Sequence, residues 1–176
     1  MRYEQKNGWE IVDDKEKQQI FDLCDSYKKY LDNGKTERAC VNYTIELAEK
    51  NGFIEFNESK KLNPGDKIYF NNRNKSITLA IIGKKPVEEG INLVAAHIDS
   101  PRLDLKQNPL YEDTDLALFK TRYYGGIKQY QWTTIPLAIY GVVVKSDGSK
   151  VDISIGDNDD EPAFCVTDLL PHLARR

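Results

Sequence analysis

The chain is poor in the residues that most often build metal and nucleophile sites. Among 176 residues there are two histidines, His97 and His172, and three cysteines. Cys24, Cys40 and Cys165 are odd in number and widely scattered, with no Cys-x-x-Cys pair, which excludes the usual redox and zinc motifs and reads as reduced thiols. No Gly-x-x-x-x-Gly-Lys-Ser/Thr phosphate loop, Gly-x-Gly-x-x-Gly turn or His-Glu-x-x-His helix is present, and Ser100 does not sit in a Gly-x-Ser-x-Gly elbow. Long hydrophobic runs are missing as well. The longest extends from Ile135 to Val144, far short of the roughly 18 residues of a spanning helix, so no membrane partner is expected. The N-terminal stretch Met1-Arg2-Tyr3-Glu4-Gln5-Lys6-Asn7-Gly8 lacks the apolar core of a secretory signal, and a cytoplasmic location is expected. Nor is there an excess of basic charge: 25 basic against 28 acidic residues give a net charge of −3, which argues against nucleic acid as the main partner.

What is present is the mix of an ordinary globular chain, with 40% hydrophobic and 30% charged residues. Ile20, Leu23, Cys24, Tyr27 and Leu31 recur at helical spacing and predict a first amphipathic helix, closed by a left-handed Asn33-Gly34 stop. Thr36 is a good N-cap for a second, with Ala39, Cys40, Tyr43 and Leu47 as its buried stripe and Asn51-Gly52 at its end. Beyond Gly52 the pattern turns to short β-rich runs. Asn63-Pro64-Gly65-Asp66 is a turn before Ile68-Tyr69-Phe70, whose hairpin partner is Ile77-Thr78-Leu79-Ala80-Ile81-Ile82-Gly83. The nearly continuous apolar run Ile91-Asn92-Leu93-Val94-Ala95-Ala96 predicts a strand buried on both faces. It leads directly into His97-Ile98-Asp99-Ser100-Pro101, and chemistry at the end of a central strand is the usual arrangement in open α/β sheets. From Arg102 onward the chain reads as mostly β. Leu103 and Leu105 alternate with Asp104 and Lys106, a long strand covers Ile135 to Val144, and Ser146-Asp147-Gly148-Ser149 turns it into Val151-Asp152-Ile153-Ser154-Ile155.

His97-Ile98-Asp99 is the strongest chemical signal. On a strand, His97 and Asp99 would project to one side, where a carboxylate can take the second N–H of a metal-bound imidazole. The competing reading is a hydrogen-bonded structural histidine. His172 is open to two readings, functional or an ordinary surface or interface residue. Asp157-Asn158-Asp159-Asp160-Glu161 has the acidity of a calcium loop but not its glycine or later glutamate, and reads as a solvated turn. Tyr123-Tyr124-Gly125-Gly126 with Tyr130-Gln131-Trp132 forms an aromatic cluster that suits packing or a subunit interface.

Together these segments resemble a known family. Val94-Ala95-Ala96-His97-Ile98-Asp99-Ser100-Pro101-Arg102-Leu103-Asp104-Leu105-Lys106 is similar to the first metal-binding segment of the aspartyl aminopeptidase/aminopeptidase I zinc metallopeptidases. Tyr123-Tyr124-Gly125-Gly126 and Asp168-Leu169-Leu170-Pro171-His172-Leu173 resemble that family at the same spacing. The resemblance implies an α/β fold: the N-terminal part of a zinc-peptidase-like mixed sheet with covering helices, followed by part of a β-rich inserted dimerisation domain. Residues 1–101 would belong to the catalytic domain and residues 102–176 to the insertion. It also implies a homo-oligomeric exopeptidase that removes N-terminal residues from peptide substrates at a two-zinc centre. By position, His97 matches the first zinc ligand and Asp99 the catalytic aspartate that orients it. His172 matches a family histidine that serves as a metal ligand or as a substrate contact reaching in from a neighbouring subunit. The further carboxylates, second histidine ligand and glutamate base of such a centre have no counterpart here, so the zinc site is expected to be incomplete and the chain inactive alone. The alternative is a non-catalytic oligomerisation or interaction module derived from such an enzyme.

Overall fold

The computed structural model describes residues 5–169. These fall into two compact units divided between Ile98 and Asp99.

The first unit holds three helices and a small sheet. A short α1 (Gly8–Ile11) precedes α2 (Asp14–Asn33) and α3 (Glu37–Lys50). Asp13 starts α2 with a capping box: its carboxylate accepts from Glu16 N at 2.7 Å, and the Glu16 carboxylate accepts from Asp13 N at 3.0 Å. Thr36 caps α3 as its sequence predicts, its hydroxyl accepting from Ala39 N at 3.2 Å. Helix α3 packs against α2 and onto a three-stranded sheet of β1 (Ile54–Glu55), β2 (Lys67–Asn72) and β3 (Ser76–Ile81), with β1 parallel and β3 antiparallel to β2. The β2–β3 hairpin is the predicted one. Its turn is closed by Lys75 N donating to Asn72 O at 3.0 Å, with Arg73 and Asn74 both at positive φ.

The core of this unit is small. Among the described residues, the buried apolar side chains are Cys40, Val41, Ala48 and Tyr69. Two expectations are corrected here. The α2 stripe is not buried: Leu23, Tyr27 and Leu31 face solvent, and Cys24 is exposed. In α3 the buried face is centred on Cys40, Val41 and Ala48 rather than on Leu47, because the sheet lies on that side. Gly34 also ends α2 without the left-handed conformation, at φ −95°.

The larger correction concerns residues 91–96. They form no strand and are exposed, Leu93 by 77% and Val94 by 96%. An apolar run becomes a buried strand only when neighbours pair with it on both sides. The three-stranded sheet of this unit supplies none, its order being β1-β2-β3.

The second unit consists of two hairpins. Strand β4 (Arg102–Asp113) pairs antiparallel with β5 (Leu116–Tyr124) through a two-residue turn, Thr114 and Asp115 both at positive φ. The register shifts between Leu105 and Leu110, where Asn108 takes a φ of 51° ahead of Pro109. Strand β6 (Ile139–Val144) pairs with β7 (Lys150–Ile155) across the predicted Ser146–Ser149 turn, with Gly148 at φ 83°. The long strand expected from Ile135 is thus shorter. Pro136 has no N–H to give a ladder, and this stretch makes only an isolated bridge, Leu137 to Phe164. Phe119 and Phe164, with ring centroids 5.9 Å apart, tie that strip to β5.

Candidate active site

His97 lies at the end of the exposed 91–96 segment and is itself exposed. Since no strand forms there, strand alternation does not set the directions of His97 and Asp99; each is held by its own unit. On the His97 side the anchor is α3. The buried Cys40 thiol shares its proton between Gly34 O at 3.3 Å and Ile98 O at 3.6 Å, so the carbonyl between the two candidate residues is held against the helix. Burial pushes this thiol's pKa up and keeps it a neutral donor. Thr44 Oγ1 donates to Cys40 O at 2.7 Å and lies 3.2 Å from the Tyr30 hydroxyl, which joins α2 to the same polar cluster.

Asp99 is half-buried and accepts from the Tyr124 hydroxyl at 2.8 Å. Tyr124 ends β5 opposite Arg102, and the Arg102 guanidinium stacks 4.0 Å from its ring centroid. Arg102 Nε in turn donates to Asp104 Oδ1 at 2.7 Å, two residues along the same strand face. Next to it, Gly125 takes a φ of +75° and packs against Pro101. A local frame therefore surrounds the Asp99 carboxylate.

Sequence reasoning named Asp99 and placed Tyr124 in an aromatic cluster, but it missed the bond between them, which only the β4–β5 register brings together. It likewise read Cys40 as part of an apolar stripe. His172 lies outside the described residues. Asp157–Glu161 is a turn: the Glu161 carboxylate accepts from Gly156 N at 2.7 Å and Asp157 N at 3.1 Å, and bonding from Asn158 and these amides lowers its pKa.

His97 and Asp99 offer one imidazole and one carboxylate, donors of the type that zinc takes, against the four ligands of a complete zinc sphere. Among the described residues no group of three or more His, Cys, Asp or Glu is placed to hold a metal ion. No helix among them is long and apolar enough to cross a membrane.

Residues 30–176 match the family described as aminopeptidase I zinc metalloprotease (M18), a stretch that includes His97, Asp99 and His172. The chain belongs to this family. Among M18 proteins, it is 52% identical to the "Probable M18 family aminopeptidase 1" of Clostridium acetobutylicum, over 97% of this chain and 38% of that protein. With its namesake from Thermotoga maritima it shares 43% identity, over 98% of this chain and 38% of that one. The crystal structure of aminopeptidase I from Borrelia burgdorferi superposes with a TM-score of 0.88 at 48% identity, covering 94% of this chain and 41% of that one. The mixed α/β arrangement of helices and small sheets is therefore that of M18 aminopeptidase structures. The chain spans about 38% of the length of the relatives it matches.

Proposed function

We propose that this chain is the N-terminal part of a zinc aminopeptidase that removes N-terminal residues from peptides and works as a homo-oligomer. The observation that carries the reading is 52% identity to an M18 aminopeptidase across 97% of the chain. In this reading His97 is a zinc ligand and Asp99 takes the second imidazole N–H, which fixes the tautomer and raises the basicity of the ligand. His172 serves the site as a metal ligand or as a substrate contact offered to a neighbouring subunit. Residues 1–101 belong to the catalytic domain and 102–176 to a β-rich insertion through which subunits pair. Zinc, when bound, polarises the scissile carbonyl and activates water. The protein's own part is to hold His97 at the end of the 91–96 segment, anchored by the Cys40 contact to Ile98 O, and to orient the Asp99 carboxylate through the Tyr124 hydroxyl.

Two histidines and one aspartate are too few for a two-zinc centre, so the isolated chain has little turnover. The test is zinc content and turnover on a panel of aminoacyl substrates. These are measured for the chain alone and for the chain mixed with a polypeptide carrying the remaining region of the Clostridium relative. We expect no tight zinc and no turnover alone, and both in the mixture. His97→Ala abolishes turnover there, and Asp99→Asn lowers it about 10- to 100-fold. A mixture without zinc or turnover overturns the proposal, and turnover by the chain alone overturns its incompleteness.

A further inference from the structure

We propose that Tyr124 is a positioning residue for Asp99 and that Arg102 holds Tyr124 in place to do so. The inference rests on the reading of Asp99 as the carboxylate that orients His97.

The argument begins with register. Arg102 pairs with Tyr124 and Asp104 with Arg122, and alternation places these side chains on one face of the β4–β5 hairpin, with Leu103 and Tyr123 on the other. On that shared face the Arg102 guanidinium lies 4.0 Å from the Tyr124 ring centroid, and its Nε donates to Asp104 Oδ1 at 2.7 Å. A guanidinium tethered at one edge and stacked on its face restricts the ring beneath it. The ring carries one hydroxyl proton, and at 2.8 Å it goes to Asp99 Oδ2. A hydroxyl donating to a carboxylate is among the stronger hydrogen bonds available to a half-buried group. The backbone on both sides is also constrained, Pro101 before β4 packing on Gly125 after β5. Asp99 is thus bonded by a residue 25 positions away, brought to it by the register of the β4–β5 hairpin.

The side-chain conformation of Asp99 is the direct readout. Three-bond couplings in the full chain report its χ1 populations. One dominant rotamer is expected in the unaltered protein, averaged rotamers in Tyr124→Phe, and native couplings in Tyr123→Phe, which changes the tyrosine on the opposite face. A single Asp99 rotamer retained in Tyr124→Phe overturns the proposal, as does an averaged Asp99 in the unaltered chain. Should Tyr124→Phe lose the hairpin, Arg102→Met decides. It keeps the hydroxyl but frees the ring, and it must show partial averaging. In the mixture with the remaining family region, Tyr124→Phe lowers kcat about tenfold at unchanged KM, and Tyr123→Phe leaves both unchanged; equal kcat in Tyr124→Phe overturns the proposal. The coupling measurement needs neither zinc nor turnover. A mixture that fails to turn over therefore rejects the aminopeptidase reading, while the Asp99 couplings still decide the role of Tyr124.

Discussion

Gly34 shows how one residue can be fixed by contact instead of by backbone freedom. Its φ is −95°, open to any residue, but a Cβ there would meet Cys40 Sγ at 2.8 Å and Tyr30 O at 2.9 Å. The second of these is backbone and cannot swing away. Gly34→Ala therefore forces α2 and α3 apart at the cluster that holds Ile98 O, and costs about 1–3 kcal/mol. A urea titration checks this, as a lower midpoint at unchanged slope. Tyr69 gives a second prediction at the same scale. Its hydroxyl donates to Glu49 Oε1 at 2.8 Å, and that bond together with burial pushes its pKa up to about 12. In the unfolded chain the phenol titrates near its ordinary value of about 10. The folded state thus keeps the proton while the unfolded state loses it. Stability from this group is fully present below about pH 10 and is lost as pH rises through about 12. Tyr69→Phe is expected to give a shallower loss of stability across that alkaline window, measured by denaturant titrations at stepped pH.

Elements were legible where their signals are local. The Thr36 cap, the Asn51-Gly52 stop and the Asn63–Asp66 turn lie where the sequence puts them, because each depends on a few neighbouring residues. Faces were harder to read. Helical spacing finds the apolar stripe of α2, but whether it is buried depends on what packs there, and among the described residues Leu23, Tyr27 and Leu31 stay exposed. The bond from Tyr124 to Asp99 was hidden for a related reason, since it follows from strand register and not from the neighbours of either residue. The β2–β3 hairpin was legible, but the positive φ of its glycine-free turn was not. The β2–β3 turn puts Arg73 and Asn74 at φ 55° and 56°, and arginine is poorly suited to that region. Arg73→Asn should stabilise the hairpin by about 0.5–1 kcal/mol. Arg38 Nη1 bonds to the Arg73 carbonyl, a contact that the substitution leaves intact. The check is a raised thermal midpoint with unchanged β2–β3 register.

At the scale of the whole molecule, the run 91–96 was read correctly for its apolar character and wrongly for its state. Its composition is that of a strand between two neighbours, and among the described residues no strand pairs with it. An extended apolar segment with exposed Leu93 and Val94 is a template for pairing with another chain. The isolated protein should therefore self-associate through this segment as concentration rises. Val94→Lys tests the route cleanly. With 96% of Val94 exposed, the substitution removes no packing, while a charge on an open strand disfavours edge-to-edge pairing. Sedimentation velocity over a concentration series should show the monomer persisting to higher concentration in Val94→Lys, with the urea midpoint unchanged. An unaltered association profile would move the sticky surface to the exposed face of α2, where Leu23→Lys would then have the effect expected here of Val94→Lys.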